Sequence, residues 1–314
     1  MQNLIPIIDL STATKKNQYN EIASGIEEAI KNNGFFYVKN HGIDNKLIKD
    51  LFGLSKNFFD LPIESKMFLD SRKSIARRGY FPLYGENTNP SQSIDFKEGF
   101  DVMTDHKDTD LRVINKTPFF GKNIWPKAIN NFEKISMQYY NKLTILASDI
   151  MKIISHLLSL PENFFLGEIS DPFAMLRILK YPKQKSNDEL MVGAGTHTDY
   201  GLITILAQNE IKGLEVQDKK GNWLEVEPMK NLLLVNFGDE MAMWTNNIIK
   251  ATPHRVINKA DKERYSSVFF FHSPYDKLIT PQSQFITADK PQLYKPIKSI
   301  DYMTKRFSET FENI

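Results

Sequence analysis

The sequence predicts an α+β fold with a mainly β core. Two observations carry this: amphipathic helical spacing dominates the first half, and short β-rich runs recur about every ten residues after Asp171. No repeat, low-complexity tract or flexible linker divides the 314 residues. A single domain, 1–314, with a helical layer on an antiparallel sandwich or barrel is therefore the economical architecture.

The elements follow in order. Residues 19–31 set Ile22, Ile26, Ala29 and Ile30 on one helical face, and Asn33-Gly34 stops them. Residues 35–38 read as a strand, with a turn at His41-Gly42, and 45–59 as a second helix ending before Leu61-Pro62. Residues 72–120 are rich in Gly, Pro, Asn and Asp and predict a long looped segment with short strands, a kind of segment that often carries function. A long helix is expected from Trp125-Pro126 to about residue 160, with the proline suited to its first turn. Strands are expected at 173–179, 202–207, 214–217, 223–226, 232–237, 255–258 and 264–271, with turns at 209–213, 218–222 and 258–263. This divides the chain into an N-terminal region (1–125), a supporting helix region (126–170), a β core (171–280) and a C-terminal segment (281–314).

Composition narrows the chemistry. Lys and Arg number 40 against 38 Asp and Glu, and a net charge of +2 gives no argument for nucleic acid or an anionic membrane as partner. The N-terminus lacks a basic start and breaks its apolar run at Pro6 and Asp9, so it is no signal peptide, and no apolar run approaches a membrane span. A soluble, cytoplasmic protein is the expectation. With no Cys there is no disulfide, thiolate nucleophile, Fe–S cluster or Cys-ligated zinc. Metal chemistry must use carboxylates and six histidines, at positions 41, 106, 156, 197, 254 and 272.

The informative run is Gly195-Thr196-His197-Thr198-Asp199-Tyr200-Gly201. On an extended backbone, residues i and i+2 share a face, so His197 and Asp199 can aim at one point. A second His would complete a facial triad, the arrangement that leaves open positions on non-haem Fe(II). His254 can return beside the pair after four intervening strands. Taken singly, a His-x-Asp is most often a surface pair, and His254 a hydrogen-bonded strand-end residue. Arg264-Tyr265-Ser266 adds a guanidinium fork and a hydroxyl on one strand face, suited to a carboxylate, although a structural salt bridge is the favoured reading of a lone Arg. His272 falls on the same alternation as Arg264, but the run is apolar on both faces and parity does not fix its direction. His41 reads as a turn residue and His156 as helix-terminal. Arg72, Lys73, Arg77 and Arg78 could welcome an anion, but a solvated charged face is the simpler reading.

Together, His197-x-Asp199, His254 and Arg264-x-Ser266 resemble the signature of the isopenicillin N synthase-like 2-oxoglutarate/Fe(II)-dependent oxygenases. Residues 5–10, 34–43, 176–182, 213–216 and 235–239 are similar to further segments of that family, in order along the chain. The resemblance implies a double-stranded β-helix (jelly roll) flanked by helices from the N-terminal half. It implies Fe(II) held by His197, Asp199 and His254. It also implies 2-oxoglutarate bound through Arg264 and Ser266 with help from Tyr181, and O2 as oxidant, with ascorbate in support. The reaction implied is hydroxylation or desaturation of a small molecule, with release of succinate and CO2. Leu179-Lys180-Tyr181-Pro182 departs from the Asn-Tyr-Tyr-Pro of many plant members, so plant activities do not transfer. In the segments 77–82 and 97–101, Tyr80 and Phe100 are the candidate substrate-wall residues, with ordinary packing as the alternative. An Fe(II) oxidase of the same fold that dispenses with 2-oxoglutarate is the main rival. A non-redox binding jelly roll or a zinc hydrolase is a distant one, since no Glu falls within the ligand motif to serve as base.

Overall fold

Two mainly antiparallel sheets line one cavity in the computed structural model, which describes residues 5–13, 15–168, 170–183, 191–258 and 261–311. The expected turn at 258–263 includes Lys259 and Ala260, which lie outside these residues. The larger sheet runs Ile7–Asp9, Phe35–Lys39, Leu233–Phe237, Ile203–Gln208, Arg264–Phe271, Ala174–Tyr181, Glu98–Val102, Gly79–Phe81. Its neighbours are antiparallel except the first two strands. The smaller sheet runs Trp223–Glu225, Leu214–Gln217, His254–Val256, Ala194–His197. This is the expected jelly roll.

The Arg264–Phe271 strand explains its own ambiguous pattern. Tyr265, Phe269 and Phe271 join the core beneath the helices, whereas Arg264, Ser266, Val268 and Phe270 line the cavity on the other face. A strand covered on both sides needs no polar face, so alternation vanishes from its sequence.

Helices cover the outer face of the larger sheet. Tyr19–Lys31 buries Tyr19, Ile22, Ala23, Ile26 and Ala29, the stripe its spacing predicts. Asn45–Phe59 starts at Asp44, whose carboxylate accepts from Lys46 N at 2.8 Å, and buries Leu47, Leu51, Phe58 and Phe59. Both lie against the long helix, which begins at Phe132 and ends at Leu157. It starts later than Trp125-Pro126 suggests: Ile129 N closes a turn on Pro126 O, and Asn131, at φ 65°, breaks helical continuity just before Phe132. Each large apolar side chain fully buried along these faces contributes about 1.5–3 kcal/mol. No helix among the described residues is long and apolar enough to cross a membrane.

Among the described residues, four α-helices have no counterpart in the sequence reading: the short Ile63–Met67 and Leu111–Ile114, and two that bear on the cavity. Asp239–Trp244 follows Gly238 and packs its first turn on the loop after His197, where Asp239 N donates to Asp199 O at 2.8 Å. Ser299–Phe311, in the C-terminal segment, sends Met303 and Phe307 into the cavity wall.

The close approach at Gly238 is demanding: a Cβ there would meet Gly201 O at 2.3 Å and Asp199 O at 2.9 Å. Gly238→Ala should lower the urea-unfolding free energy by about 1–3 kcal/mol, the cost of overpacking against rigid backbone. Gly53, exposed within the Asn45–Phe59 helix with nothing within 4 Å of its would-be Cβ, should do the opposite. There Gly53→Ala should add about 0.5–1 kcal/mol by helix propensity in the same measurement.

Candidate active site

His197 ends one strand of the smaller sheet and His254 opens the next, and the two are direct ladder partners. Asp199 lies two residues past His197, where the chain turns toward the Asp239–Trp244 helix. Its Oδ1 is 3.6 Å from His254 Nε2 and 3.9 Å from His197 Nε2. One donor atom from each residue falls within 4.8 Å of the others, so the three converge on a space one cation wide.

The neighbours fix which atoms face that space. His197 Nδ1 meets Gly195 O at 2.7 Å and His254 Nδ1 meets Thr252 O at 3.1 Å. A carbonyl only accepts, so each Nδ1 carries the proton and each Nε2 offers its lone pair inward. Asn236 Nδ2 donates to Asp199 Oδ2 at 2.7 Å and leaves Oδ1 toward the imidazoles. Burial, then the neighbouring His254, push the His197 imidazole down to about 4. Burial opposes charge on Asp199, yet His254, His197 and Asn236 outweigh it and hold the carboxyl below its usual range. A neutral imidazole beside an ionised carboxylate is the protonation state that takes up a divalent cation.

A second cradle lies in the same cavity. Arg264 pairs in register with Tyr181, and its Cζ sits 4.8 Å from the centre of the Tyr181 ring. It is 1% exposed, and its Nη2 donates to Gln208 Oε1 at 2.8 Å. Arg264 Nε and Nη1, and Ser266 Oγ, are buried with no hydrogen-bond partner among the described residues. Burial pulls the arginine down from its usual value, but a guanidinium stays charged at any ordinary pH. A buried cation with open donors costs several kcal/mol unless an anion fills the space. The carboxylate end of a 2-oxoglutarate molecule fits these donors.

Other expected residues fall elsewhere. Tyr80 and Phe100 are not substrate-wall residues: both are fully buried on the helix side of the sheet. Tyr80 donates to Glu98 Oε2 at 2.7 Å, and Phe100 packs on Phe58 and Phe132 with ring centres 5.1 and 5.2 Å away. The two are ladder partners, so strand parity turns them away from the cavity together. The 97–101 segment does reach it, through Lys97. The basic run is not one solvated face either: Arg78 is buried and donates to the carbonyls of Gly121 and Phe119. His41 accepts from Ile43 N in its turn, and His156 contacts Asn20 at the helix end. His272 does line the cavity, with Nδ1 3.2 Å from Glu240 Oε1. Asn236 and Gln208 escape the sequence reading, although an Asn inside the apolar run Leu232–Phe237 is a visible signal of a buried polar task.

Residues 5–128 match a family profile described as the non-haem dioxygenase in morphine synthesis N-terminal domain, and residues 172–273 match the 2OG-Fe(II) oxygenase superfamily. A clavatol oxidase from Penicillium crustosum is 32% identical over 321 residues, covering 94% of this chain and 95% of its own. The chain belongs to the 2-oxoglutarate/Fe(II) oxygenase family. A homoarginine-6-hydroxylase from Oryza sativa subsp. japonica is 33% identical over 291 residues, with 88% of each chain covered. In structure, the oxygenase is similar to a full-length Neurospora crassa protein solved in complex with alpha-KG, with a TM-score of 0.82 at 28% identity, covering 97% and 96% of the two chains. The same Neurospora protein is also known in complex with alpha-KG and thymine. The oxygenase is accordingly an Fe(II)- and 2-oxoglutarate-dependent oxidoreductase that oxidises a small molecule with O2, releasing succinate and CO2.

Asn236 should behave as a positioning residue. Asn236→Ala leaves Asp199 free to rotate and should weaken divalent-metal affinity about 10- to 100-fold with the circular dichroism spectrum unchanged, measured by Co(II) titration.

Proposed function

We propose that His197, Asp199 and His254 hold the iron of this oxygenase, and that Arg264 and Ser266 hold the far carboxylate of 2-oxoglutarate. The observation that carries the second assignment is the set of open buried donors, Arg264 Nε and Nη1 and Ser266 Oγ, in the cavity that also contains the three converging ligands. Bound Fe(II) with 2-oxoglutarate and O2 supplies the oxidising chemistry, which belongs to the metal and cosubstrate rather than to any side chain.

The chain's own work is positional. His197 and His254, pinned at Nδ1, keep Nε2 aimed at one point, and Asn236 keeps Asp199 Oδ1 on the same point. Arg264 supplies charge and, with Ser266, a directional fork for a carboxylate. The Tyr181 ring covers the guanidinium from one side, and apolar neighbours such as Leu206, Leu214 and Val256 keep water from competing for its donors. Dry surroundings strengthen each of these contacts. The substrate meets the apolar part of the same cavity wall, which includes Phe270, Met303 and Phe307. We read 1–314 as one oxygenase domain, acting in the cytoplasm on a diffusible substrate.

The defining experiment is succinate release on incubation with Fe(II), ascorbate, 2-oxoglutarate and a metabolite library. Succinate formation that depends on substrate and iron is expected; turnover without consumption of 2-oxoglutarate would instead identify an oxidase of the kind that dispenses with it. Asp199→Ala should reduce succinate release to the metal-free background while leaving the melting transition in place. Arg264→Ala should raise the KM for 2-oxoglutarate by about 30-fold or more, the expected consequence of removing one partner from a buried charge pair. An unchanged KM would make Arg264 structural.

A further inference from the structure

His272 continues the cavity-facing row of the Arg264–Phe271 strand. Arg264, Ser266, Val268 and Phe270 line the cavity at every second position, and His272 follows in step. Its N donates to Phe173 O at 3.0 Å, which carries the pairing one residue past the strand end. The residue is 3% exposed, and its ring lies over the chain just beyond Asp199: a Cβ on Gly201 would stand 3.3 Å from Nδ1.

One edge of that ring is held. Nδ1 is 3.2 Å from Oε1 of the fully buried Glu240, which also accepts from Ser299 Oγ at 2.8 Å and, through Oε2, from Ser273 N at 2.6 Å. A carboxylate accepts, so Nδ1 carries the proton and the neutral ring presents a lone pair at Nε2. The two nitrogens point to different sides of the ring, so Nε2 looks away from Glu240. It is buried with no hydrogen-bond partner among the described residues.

The other buried polar atoms of the cavity wall that lack a hydrogen bond have a task or a charge partner. Arg264 and Ser266 face the cosubstrate carboxylate. Thr204, the ladder partner of Asn236, stands beside Asp199. Glu86 Oε2 lies 3.0 Å from Lys97 Nζ in a closed network, where Arg177 donates to Asp101 at 2.8 Å and to Glu86 at 2.5 Å, and Lys97 to Asp95 at 2.7 Å. His272 Nε2 is what remains, in a cavity whose nearby wall includes the apolar Phe270, Met303 and Phe307.

We propose that His272 is a substrate-recognition residue of this oxygenase, with Nε2 accepting a hydrogen bond from a neutral hydroxyl or N–H on an otherwise apolar, aromatic substrate. The inference rests on the oxygenase assignment above. A buried acceptor that folding leaves open discriminates for the donor that closes it, because a substrate without one leaves the lone pair desolvated and unpaired. Apolar walls take up the body of such a substrate, and one fixed acceptor sets its orientation.

Two donors and their methylated forms test this: phenol against anisole, and indole against 1-methylindole. Each is titrated calorimetrically at about pH 8, above the usual imidazole range, into the anaerobic enzyme loaded with Fe(II) and 2-oxoglutarate, where no turnover intervenes. In each pair the donor should bind about tenfold tighter. His272→Asn keeps an N–H for Glu240 but has no atom in the place of Nε2, and His272→Phe keeps the bulk of the ring without its nitrogens. Either variant should bring the members of each pair within about threefold of each other. The visible charge-transfer band of Fe(II) with 2-oxoglutarate should be the same in wild type and variants. A methylated probe that binds as tightly as its donor, no binding of phenol or indole up to about 10 mM, or a donor preference that survives in a folded variant each overturns the proposal. A wild-type enzyme without the band overturns the cosubstrate assignment and this proposal with it, whereas an intact band without donor preference overturns the role of His272 only.

Discussion

Antiparallel pairing of Ala194–His197 with His254–Val256 is the constraint on which the active site depends. It turns a long sequence separation into direct ladder contact, with His197 opposite His254 and their ring centres 4.3 Å apart. Everything else at the centre adjusts to that pair. The Leu214–Gln217 strand holds His254 from its other side, and the helix after Gly238 holds the backbone of Asp199. The two histidines thus sit on strand ends, and the short loop that carries Asp199 is pinned by the helix, so positional error is smaller than on a free loop.

Buried charge is handled in two ways within one cavity. The network around Arg177 is closed by its own carboxylates and contributes to the fold, because removing one member would strand the others in a low-dielectric interior. Arg264 is left open, facing only Gln208 and the face of Tyr181. A charge that folding has not neutralised is a stored preference for an anion, so an anion bound there would return free energy that the empty protein forgoes.

Much of this was legible from the sequence. Short β-rich runs and the His-x-Asp, His and Arg-x-Ser elements located the sheets and the residues that converge, because strand parity and the scarcity of alternatives constrain both. Parity failed where both faces of a strand are buried, as at Arg264–Phe271, and where the edge segment carrying Tyr80 and Phe100 gave no pattern to decide which side faced inward. Arg78 looked solvated because its partners are backbone carbonyls, Gly121 and Phe119, that no residue type announces. The late start of the long helix turns on one left-handed residue, Asn131, and Pro126 just upstream gave a stronger but misplaced signal.

The Ser299–Phe311 helix follows all the sheet strands that carry the ligands, yet supplies Met303 and Phe307 to the cavity. The converging His-Asp-His set and this part of the cavity wall therefore lie on different stretches of chain. His197 and His254 are locked into a ladder that tolerates little change, whereas the Ser299–Phe311 helix can exchange a side chain without disturbing that pairing. Substitutions within residues 299–311 can therefore reshape one wall of the cavity and leave the His197–His254 ladder intact.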